Sequence, residues 1–274
     1  MDKKILTEMF DNLLHIGNKT NYWNPKMKSF IHGSSNGVHI IDLTQTITQL
    51  DNVAGALAQY KADGKKVLFV ATKLQARDAF SKLAIDTGNF YVSEKWVPGL
   101  LTNFKTIKRR IATYLQLLRD SQGTGFDMLT KKEKAAKMLE LEKLDKAFKG
   151  VKEMKKTPDV IFVVDGIFEG QATKEAKSLG LPCFAIANTN GNPFDVTDAI
   201  PANTNSVKSL DYLAAALSDR MKKAPVTKKE APKKAIEKKA PVTASKAPAE
   251  KAEAKPAAKT APAKKTTAAK AEEK

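Results

Sequence analysis

The pattern of apolar and polar positions along the chain predicts strands and helices in alternation. Stretches rich in Val, Ile, Leu and Phe predict short strands at residues 38–43, 65–72, 89–96, 158–165 and 179–189. Amphipathic patterns predict helices at residues 44–60 and 74–87, a helix ending near 179, and a last helix at 206–220. Nearly continuous apolar strands that alternate with helices are typical of a parallel sheet covered on both faces. We therefore predict a doubly wound α/β domain formed by residues 1–99 and 157–220.

Residues 100–156 interrupt this alternation with a pattern of their own. Apolar residues recur there at steps of three and four, as along one seam of a helix: Phe104, Ile107, Ile111, Tyr114 and Leu118. Residues 121–129 break the pattern, and Thr130 with Glu133 gives the capping-box signature of a new helix. A second seam follows: Leu141, Leu144, Phe148 and Val151. The segment therefore predicts an inserted antiparallel helical hairpin, with each helix of about 20 residues extending roughly 30 Å.

The segment HIGNKTNYWNPKMKSFIHG, residues 15–33, precedes the first predicted strand. The ring of Pro25 keeps Asn24 out of the helical region, so we predict an irregular strap at residues 22–25. We expect the large apolar side chains of the segment to anchor it on the sheet: Trp23, Met27 and Phe30. The polar residues of the segment are then suited to phosphate contacts on RNA: Lys19, Asn21, Tyr22, Lys26 and Lys28.

Residues 221–274 consist mostly of Lys, Ala, Pro, Glu and Thr, without one aromatic residue. Such a composition cannot bury enough apolar surface to offset the entropy of ordering, and its prolines interrupt helices. We predict a disordered C-terminal tail. Two interpretations of this tail stay open, a solubilising segment and a weak, nonspecific RNA-binding arm.

The net charge of +17 is unevenly distributed along the chain. Residues 100–156 carry 15 Lys and Arg against 7 Asp and Glu, and residues 221–274 carry 16 Lys against 6 Glu. The remaining residues are almost neutral, with 16 basic against 17 acidic side chains. A basic stripe on one element is the expected footprint of a polyanion-binding surface. The hairpin residues that we expect to contact phosphates are Lys105, Lys108, Arg109, Arg110, Lys131, Lys132 and Lys134.

Several classes of protein and of site find no support in the sequence. No apolar run approaches the length needed to span a membrane, and the N-terminus lacks the apolar region of a signal peptide. Cys183 is a lone cysteine, which excludes an internal disulfide and a Cys-rich zinc module and favours a reducing, cytoplasmic location. The three histidines (His15, His32 and His39) are irregularly spaced without Cys or acidic residues among them, so we expect no metal and no cofactor.

The chain also lacks the common signatures of α/β enzymes. No glycine-rich phosphate loop stands at a strand-to-helix turn, and neither a nucleophile elbow nor a zinc-protease motif is present. Polar side chains do follow two predicted strands, at Asp165, Asn188 and Asn190, where such sheets bind ligands. A nucleotide- or small-ligand-binding enzyme therefore stays as an alternative hypothesis. A protein–protein adaptor that uses the hairpin is another.

A series of linked motifs resembles the bacterial small-subunit ribosomal protein S-two family. In chain order they are LLHIGNKTNYWNPKMKSFIHGSSNGVHIIDL, VLFVATKLQA, WVPGLLTNF, LTKKEKAAKMLELEKLDKAFKGVKEM, PDVIFVVD and LGLPCFAIANTNGNP, over roughly residues 5–220. The resemblance implies a Rossmann-like α/β domain with an inserted helical coiled coil. It also implies a non-enzymatic, cytoplasmic protein of the small ribosomal subunit, placed between head and body and in contact with ribosomal RNA.

The resemblance extends to expected partners and further contact residues. It implies neighbouring small-subunit proteins as partners, with docking of the large S-one protein in hosts that have one, and no homo-oligomer. Lys73 and Arg77, which follow the second predicted strand, complete the expected RNA-binding set. The chain departs from the family pattern at Leu74, where a basic residue is usual, and at Asn188 and Asn192, where Asp is usual.

Overall fold

The computed structural model describes residues 3–123, 126 and 129–223. Most of the predicted disordered tail, from residue 224 on, lies outside the described residues. The helices are α1 (Lys3–Asp11), α2 (Leu43–Ala62), α3 (Arg77–Thr87), α4 (Phe104–Gln122), α5 (Lys131–Phe148), α6 (Gly170–Ser178) and α7 (Val207–Lys223). The strands are β1 (Ile16–Lys19), β2 (Ile31–Ser35), β3 (Val38–Ile41), β4 (Val67–Val70), β5 (Phe90–Val92), β6 (Val160–Val164), β7 (Cys183–Ala187) and β8 (Asp198–Pro201).

A five-stranded parallel sheet forms the centre of the fold, in the order β5-β4-β6-β7-β8. Numbered along the chain within this sheet, the order is 2-1-3-4-5, one of the two common doubly wound arrangements. Successive side chains of a strand point to opposite faces, so Phe69 and Phe162 pack with α2, α3 and α7, whereas Val70 and Val163 pack with α4, α5 and α6. The predicted doubly wound α/β sheet is confirmed.

The sheet has one strand that we did not predict. β8 is four residues long, ends at Pro201 and pairs only with β7, at the edge of the sheet. An edge position tolerates proline because one side of the strand needs no hydrogen-bond donor. A strand of four residues that ends in proline gives too weak a signal in the hydrophobic pattern to be predicted.

The N-terminal part of the chain differs most from the prediction. It forms the helix α1 and a separate three-stranded antiparallel sheet, β1-β3-β2, so the strand predicted at residues 38–43 lies outside the parallel sheet. Asn36 and Gly37 join β2 to β3 with φ of 50° and 75°. Positive φ at both loop residues is what a two-residue hairpin turn requires, and Asn-Gly is its strongest sequence signal. The prediction missed β1 and β2, whereas Trp23 and Asn24 of the predicted strap lie in irregular backbone between two 3-10 turns.

The expected anchors of this segment behave differently from one another. Met27 is fully buried against Ala187 and Ala199 at the end of the parallel sheet, and Phe30 is half-buried beside it. Trp23 was expected to be an anchor, and this is wrong: its side chain is 37% exposed and packs on the ring of His39, with 5.4 Å between centroids. Trp23 therefore packs on the three-stranded sheet, since His39 belongs to β3.

The inserted segment contains the two expected helices, α4 and α5. Thr130 caps α5, its side chain accepting from the Glu133 N–H while the Glu133 carboxylate accepts from the Thr130 N–H, which confirms the predicted capping box. The first seam is buried at Ile107, Ile111 and Tyr114, and the second at Phe148 and Val151. The Tyr114 hydroxyl donates to Asp145 at 2.5 Å, joining the two helices.

Candidate nucleic-acid interface

The predicted contact residues of the N-terminal segment lie on the surface of its turns. Lys19 ends β1, Asn21 and Tyr22 lie on a 3-10 turn, and Lys26 and Lys28 lie on a second 3-10 turn, Pro25–Phe30. All five side chains are exposed, and the Tyr22 side chain reaches 71%. Lys26 and Lys28 flank the buried Met27. Because Met27 points into the body, the two lysine side chains project away from it.

Hydrogen bonds fasten this segment to the loops that follow β7 and β8. The Asn24 N–H donates to the Thr189 carbonyl at 2.9 Å, and the Asn18 N–H donates to Thr189 Oγ1 at 2.9 Å. The Asn205 side-chain amide donates to Asn18 Oδ1 at 3.1 Å, and Asn203 donates to the Leu13 carbonyl at 3.0 Å. The carboxyl-terminal edge of the parallel sheet, where such folds bind ligands, is therefore partly covered by the chain's own N-terminal segment.

Lys73 occupies the point where the strand order reverses, between the ends of β4 and β6. Its Nζ lies 2.6 Å from Asp165 Oδ2 and also contacts Thr204 Oγ1 at 3.2 Å and Asn205 Oδ1 at 2.9 Å. The two charged side chains are only 13% and 8% exposed, and Asp165 has a φ of 70°. The Lys73 ammonium donates its hydrogen bonds to groups within the protein, so it has little capacity left to bind a phosphate.

Arg77, the second expected contact of this region, is also engaged. Its guanidinium forms an ion pair with Glu94 at 3.0 Å and donates to the Thr72 carbonyl at 3.2 Å. The side chain is 28% exposed. Lys73 and Arg77 are thus both held in ion pairs of the α/β body, unlike the exposed lysines of the N-terminal segment.

Two of the three residues that the enzyme hypothesis requires have partners within the protein, whereas the buried Asn190 Oδ1 accepts no hydrogen bond from the described residues. Asp165 pairs with Lys73, and Asn188 Oδ1 accepts from the Thr189 N–H at 2.7 Å within a buried turn. Nearby, the Glu169 carboxylate accepts from the N–H and hydroxyl of Thr72. Burial raises the pKa of Glu169 above its ordinary value, while the Thr72 hydrogen bonds oppose that rise. Burial likewise raises the pKa of the Cys183 thiol to about 12, so this cysteine behaves as a small apolar residue of β7.

The basic residues of α4 form the most available set of cations. Lys105, Lys108, Arg109 and Arg110 are all exposed. Within the part of the chain that the structure describes, none of these four side chains has an acidic partner or a hydrogen bond. Lys105, Lys108 and Arg109 follow at steps of three and four, so they share one face of the helix.

The basic cluster of α5 lies at the beginning of that helix. Lys131 and Lys132 are exposed, whereas Lys134 is half-buried with its Nζ 5.9 Å from the centroid of the Phe126 ring. A cation over an aromatic face is held by the ring quadrupole, which orders the Lys134 side chain.

Four acidic residues of the insert make contacts within the insert itself. Glu133 closes the capping box, and hydrogen bonding to Thr130 lowers its pKa. Glu142 pairs with Lys146 at 2.6 Å, Asp145 accepts from Tyr114, and Asp120 accepts from Gln116 at 2.8 Å. Hydrogen bonds from neutral donors leave Glu133, Asp145 and Asp120 negatively charged, but the insert has 15 basic against 7 acidic side chains, and this excess favours contact with an external polyanion.

A buried carboxylate that the sequence did not reveal holds the start of the insert. Glu175 of α6 is 4% exposed and accepts hydrogen bonds from Trp96 Nε1 at 3.1 Å, the Gly99 N–H at 2.9 Å and the Leu101 N–H at 3.2 Å. Burial raises the pKa of Glu175, but these hydrogen bonds outweigh it and hold the pKa below its ordinary value of 4.5. The available signal was its spacing, since Glu175 lies on the same apolar face as Ala172 and Ala176.

The histidines do not assemble with other ligating groups. The His15 ring stacks on Phe10 with 4.1 Å between centroids, and burial lowers its pKa. Over residues 3–123, 126 and 129–223, no group of three or more His, Cys, Asp or Glu is arranged to hold a metal ion. In the same residues no helix has the length and apolar character needed to cross a membrane.

Comparison with known proteins adds a family to this geometry. The family model described as ribosomal protein S2 matches residues 9–224. The small ribosomal subunit protein uS2 of Mannheimia succiniciproducens is 40% identical over 212 residues, covering 77% of this chain and 88% of the relative. The uS2 proteins of Pasteurella multocida and Psychromonas ingrahamii are 41% and 43% identical over the same 77% of the chain, with 88% and 87% of each relative covered.

Proposed function

The chain belongs to the ribosomal protein S2 family, and from this premise we propose that it binds small-subunit ribosomal RNA between the head and the body of the subunit. Proteins of this family are structural, non-enzymatic components of the small ribosomal subunit. The chain accordingly acts in translation, in the cytoplasm, with ribosomal RNA and ribosomal proteins as partners. The enzyme hypothesis is set aside, since the proteins of this family are non-enzymatic.

The observation that supports RNA binding most strongly is the set of unpaired cations on α4. Lys105, Lys108, Arg109 and Arg110 are exposed and have no acidic partner among the described residues. Unpaired cations gain the most from an external phosphate because no internal ion pair must be broken. Phosphate contacts of this kind position a protein on RNA without reading its bases.

The proposed division of the chain into a body, a hairpin and a tail follows the uneven distribution of charge along the sequence. We propose that residues 100–156 project as a coiled-coil hairpin, that residues 1–99 and 157–220 form the body, and that the tail from residue 221 is a disordered accessory arm. Met221 itself lies in α7 and is 5% exposed, so this helix includes the first three residues of the predicted tail. Lys19, Asn21, Tyr22, Lys26 and Lys28 supply a second contact region. Docking of the large S-one protein is a further part of this proposal.

Replacing three of the α4 cations tests the proposal against the adaptor hypothesis. The variant Lys105→Glu/Arg109→Glu/Arg110→Glu changes exposed side chains, so the fold is retained while three phosphate contacts are lost. Binding of the full chain to small-subunit ribosomal RNA is measured across a series of salt concentrations. Six phosphate contacts give a log–log slope of about −4 to −5, and losing three of them makes it less steep by roughly 2 to 3.

A charge-matched variant separates local contacts from the effect of net charge. Lys61→Glu/Lys82→Glu/Lys208→Glu alters exposed residues on α2, α3 and α7, which pack on the opposite face of the sheet from α4. We expect this control to keep nearly the wild-type slope. Equal slopes for both triple variants, or RNA binding by the α4 variant that equals the wild type, contradict the proposal and favour the adaptor.

A further inference from the structure

Phe194 is an aromatic side chain that the α/β body leaves almost entirely outside. It follows β7 and is 73% exposed, more than Phe10 or Phe168. Folding gains little from a ring in this position, because apolar surface that stays in water contributes no burial energy. A single exposed ring needs no partner to explain it, so the inference depends on the ordered turn that carries Phe194 and on the cations beside the ring.

Two turns of the same kind hold Phe194 and Lys26 in place. Each begins with Asn-Pro, at Asn24-Pro25 and at Asn192-Pro193, and each continues as a 3-10 turn. In both, the Asn Oδ1 accepts from the N–H two residues later, from Lys26 at 3.0 Å and from Phe194 at 3.2 Å. Proline fixes φ and the Asn side chain closes the turn, so both presented side chains start from a rigid backbone.

The two turns are joined to each other and to the core. The Asn24 N–H donates to the Thr189 carbonyl at 2.9 Å, in the loop that leads to the second turn. Met27, next to Lys26, is fully buried with Ala187 and Val196 around it. A contact surface that is ordered before binding loses less conformational entropy when a ligand arrives.

The arrangement brings a cation to the aromatic ring. Lys26 Nζ lies 5.8 Å from the centroid of Phe194, and Lys28 is exposed on the same turn as Lys26. The neighbouring carboxylate of Asp195 is engaged by the Asn192 amide at 2.8 Å and by Lys177 Nζ at 3.4 Å. The surroundings of the ring therefore stay positive, which suits a ligand that combines a flat π-system with negative charge.

We propose that Phe194 is a stacking site for an unpaired base of ribosomal RNA, with Lys26 and Lys28 binding the phosphates beside that base. This inference rests on the proposed RNA binding and adds a residue and a mode of contact to it. Aromatic side chains beside basic groups are the usual means by which proteins hold single-stranded RNA, and every base offers a π-face to such a ring. The site therefore selects unpaired RNA rather than a particular sequence.

Substitutions at Phe194 separate stacking from simple apolar contact. In the full chain, Phe194→Ala weakens binding to a small-subunit ribosomal RNA transcript by roughly 5- to 150-fold, the range for loss of one base–aromatic stack. Phe194→Leu keeps an apolar side chain but lacks a π-face, so it loses nearly as much, and Phe194→Trp retains the wild-type affinity. Because the side chain is exposed, the thermal unfolding of all three variants stays that of the wild type.

Phe168→Ala is the matched control. Phe168 is a phenylalanine of the same sheet edge and is 59% exposed, but the lysine over its ring, Lys73, is held in the ion pair with Asp165. We expect no change in affinity for this variant. The inference is overturned if Phe168→Ala weakens binding as much as Phe194→Ala, or if Phe194→Leu keeps the wild-type affinity. It is also overturned if the Phe194 variants keep their RNA affinity but lose a protein neighbour in reconstituted subunits. If the wild-type chain does not bind the transcript, the proposed function fails as well, whereas unchanged binding by the Phe194 variants alone rejects only the stacking site.

Discussion

Glu175 offers the sharpest test of how the α/β body positions the insert. Its carboxylate accepts hydrogen bonds from Trp96, Gly99 and Leu101, which belong to the loop that leads into α4. Glu175→Ala removes the acceptor and leaves these donors without a partner. Glu175→Gln keeps the shape but turns an amide NH₂ toward N–H groups that need an acceptor.

The expected loss of stability follows from the burial of the hydrogen-bond donors that lose their acceptor. The Trp96 and Leu101 side chains are 7% and 2% exposed, so water does not readily replace the carboxylate at either residue. Each buried donor left unpaired costs about 1–3 kcal/mol, which gives about 2–6 kcal/mol for Glu175→Ala. Glu175→Gln retains one acceptor oxygen and costs about 1–3 kcal/mol.

Urea unfolding followed by tryptophan fluorescence measures these losses in the full chain. The matched control is Glu140→Gln, an exposed residue of α5 whose substitution changes the free energy of unfolding by less than about 0.5 kcal/mol. Equal stability of the Glu175→Gln and Glu140→Gln chains refutes the structural role assigned to this carboxylate.

The lowered pKa of Glu175 adds a dependence on pH. Because the folded protein holds this carboxyl below its ordinary value of 4.5, the unfolded chain binds the proton more tightly. The stabilisation is therefore present above pH 4.5 and is lost as the pH falls through the lower, folded-state value. The difference in stability between wild type and Glu175→Gln narrows accordingly between about pH 7 and about pH 3, and a difference that widens on acidification contradicts the assignment.

Two further substitutions test other parts of the body. Lys73→Met leaves the Asp165 carboxylate buried without its counter-ion and costs about 3–5 kcal/mol of unfolding free energy, and adding Asp165→Asn recovers part of that loss. If the losses of unfolding free energy in the two single variants add up in the double variant, the ion pair is not the cause of the lost stability. A Cβ on Gly150 lies 2.1 Å from the Tyr91 carbonyl, so Gly150→Ala lowers stability by at least about 1–3 kcal/mol. Gly170→Ala, with open space around its Cβ, serves as control in the same thermal unfolding assay, and a Gly150→Ala chain as stable as this control contradicts the close approach.

The parallel sheet and the inserted helices could be predicted because their signals are local. Strands such as VIFVV are apolar on both faces, which only a doubly covered sheet requires, and Thr130 with Glu133 forms a helix cap within one turn. These features depend on neighbouring residues, so the sequence alone identifies them.

The N-terminal segment and the sheet edge could not be predicted as readily because their partners are distant in sequence. The Asn36-Gly37 turn was a local signal of the hairpin formed by β2 and β3, which the predicted set of strands omitted. Lys73, in contrast, is indistinguishable in sequence from a phosphate-binding lysine, and only the fold brings Asp165 and Thr204 to its ammonium. Glu175 is a similar case, since its donors lie more than 70 residues away along the chain.

Sedimentation with ribosomal subunits examines the proposed ribosomal role in a single experiment. Tagged full-length chain and a chain ending at Lys223, the end of α7, are mixed with subunits and washed at rising salt. We expect both to travel with the small subunit, because the described body and its α4 cations carry the binding. A truncated chain that stays at the top of the gradient while the full-length chain binds assigns the binding to the tail and contradicts the account, and the absence of both from the small-subunit fractions contradicts the ribosomal role itself.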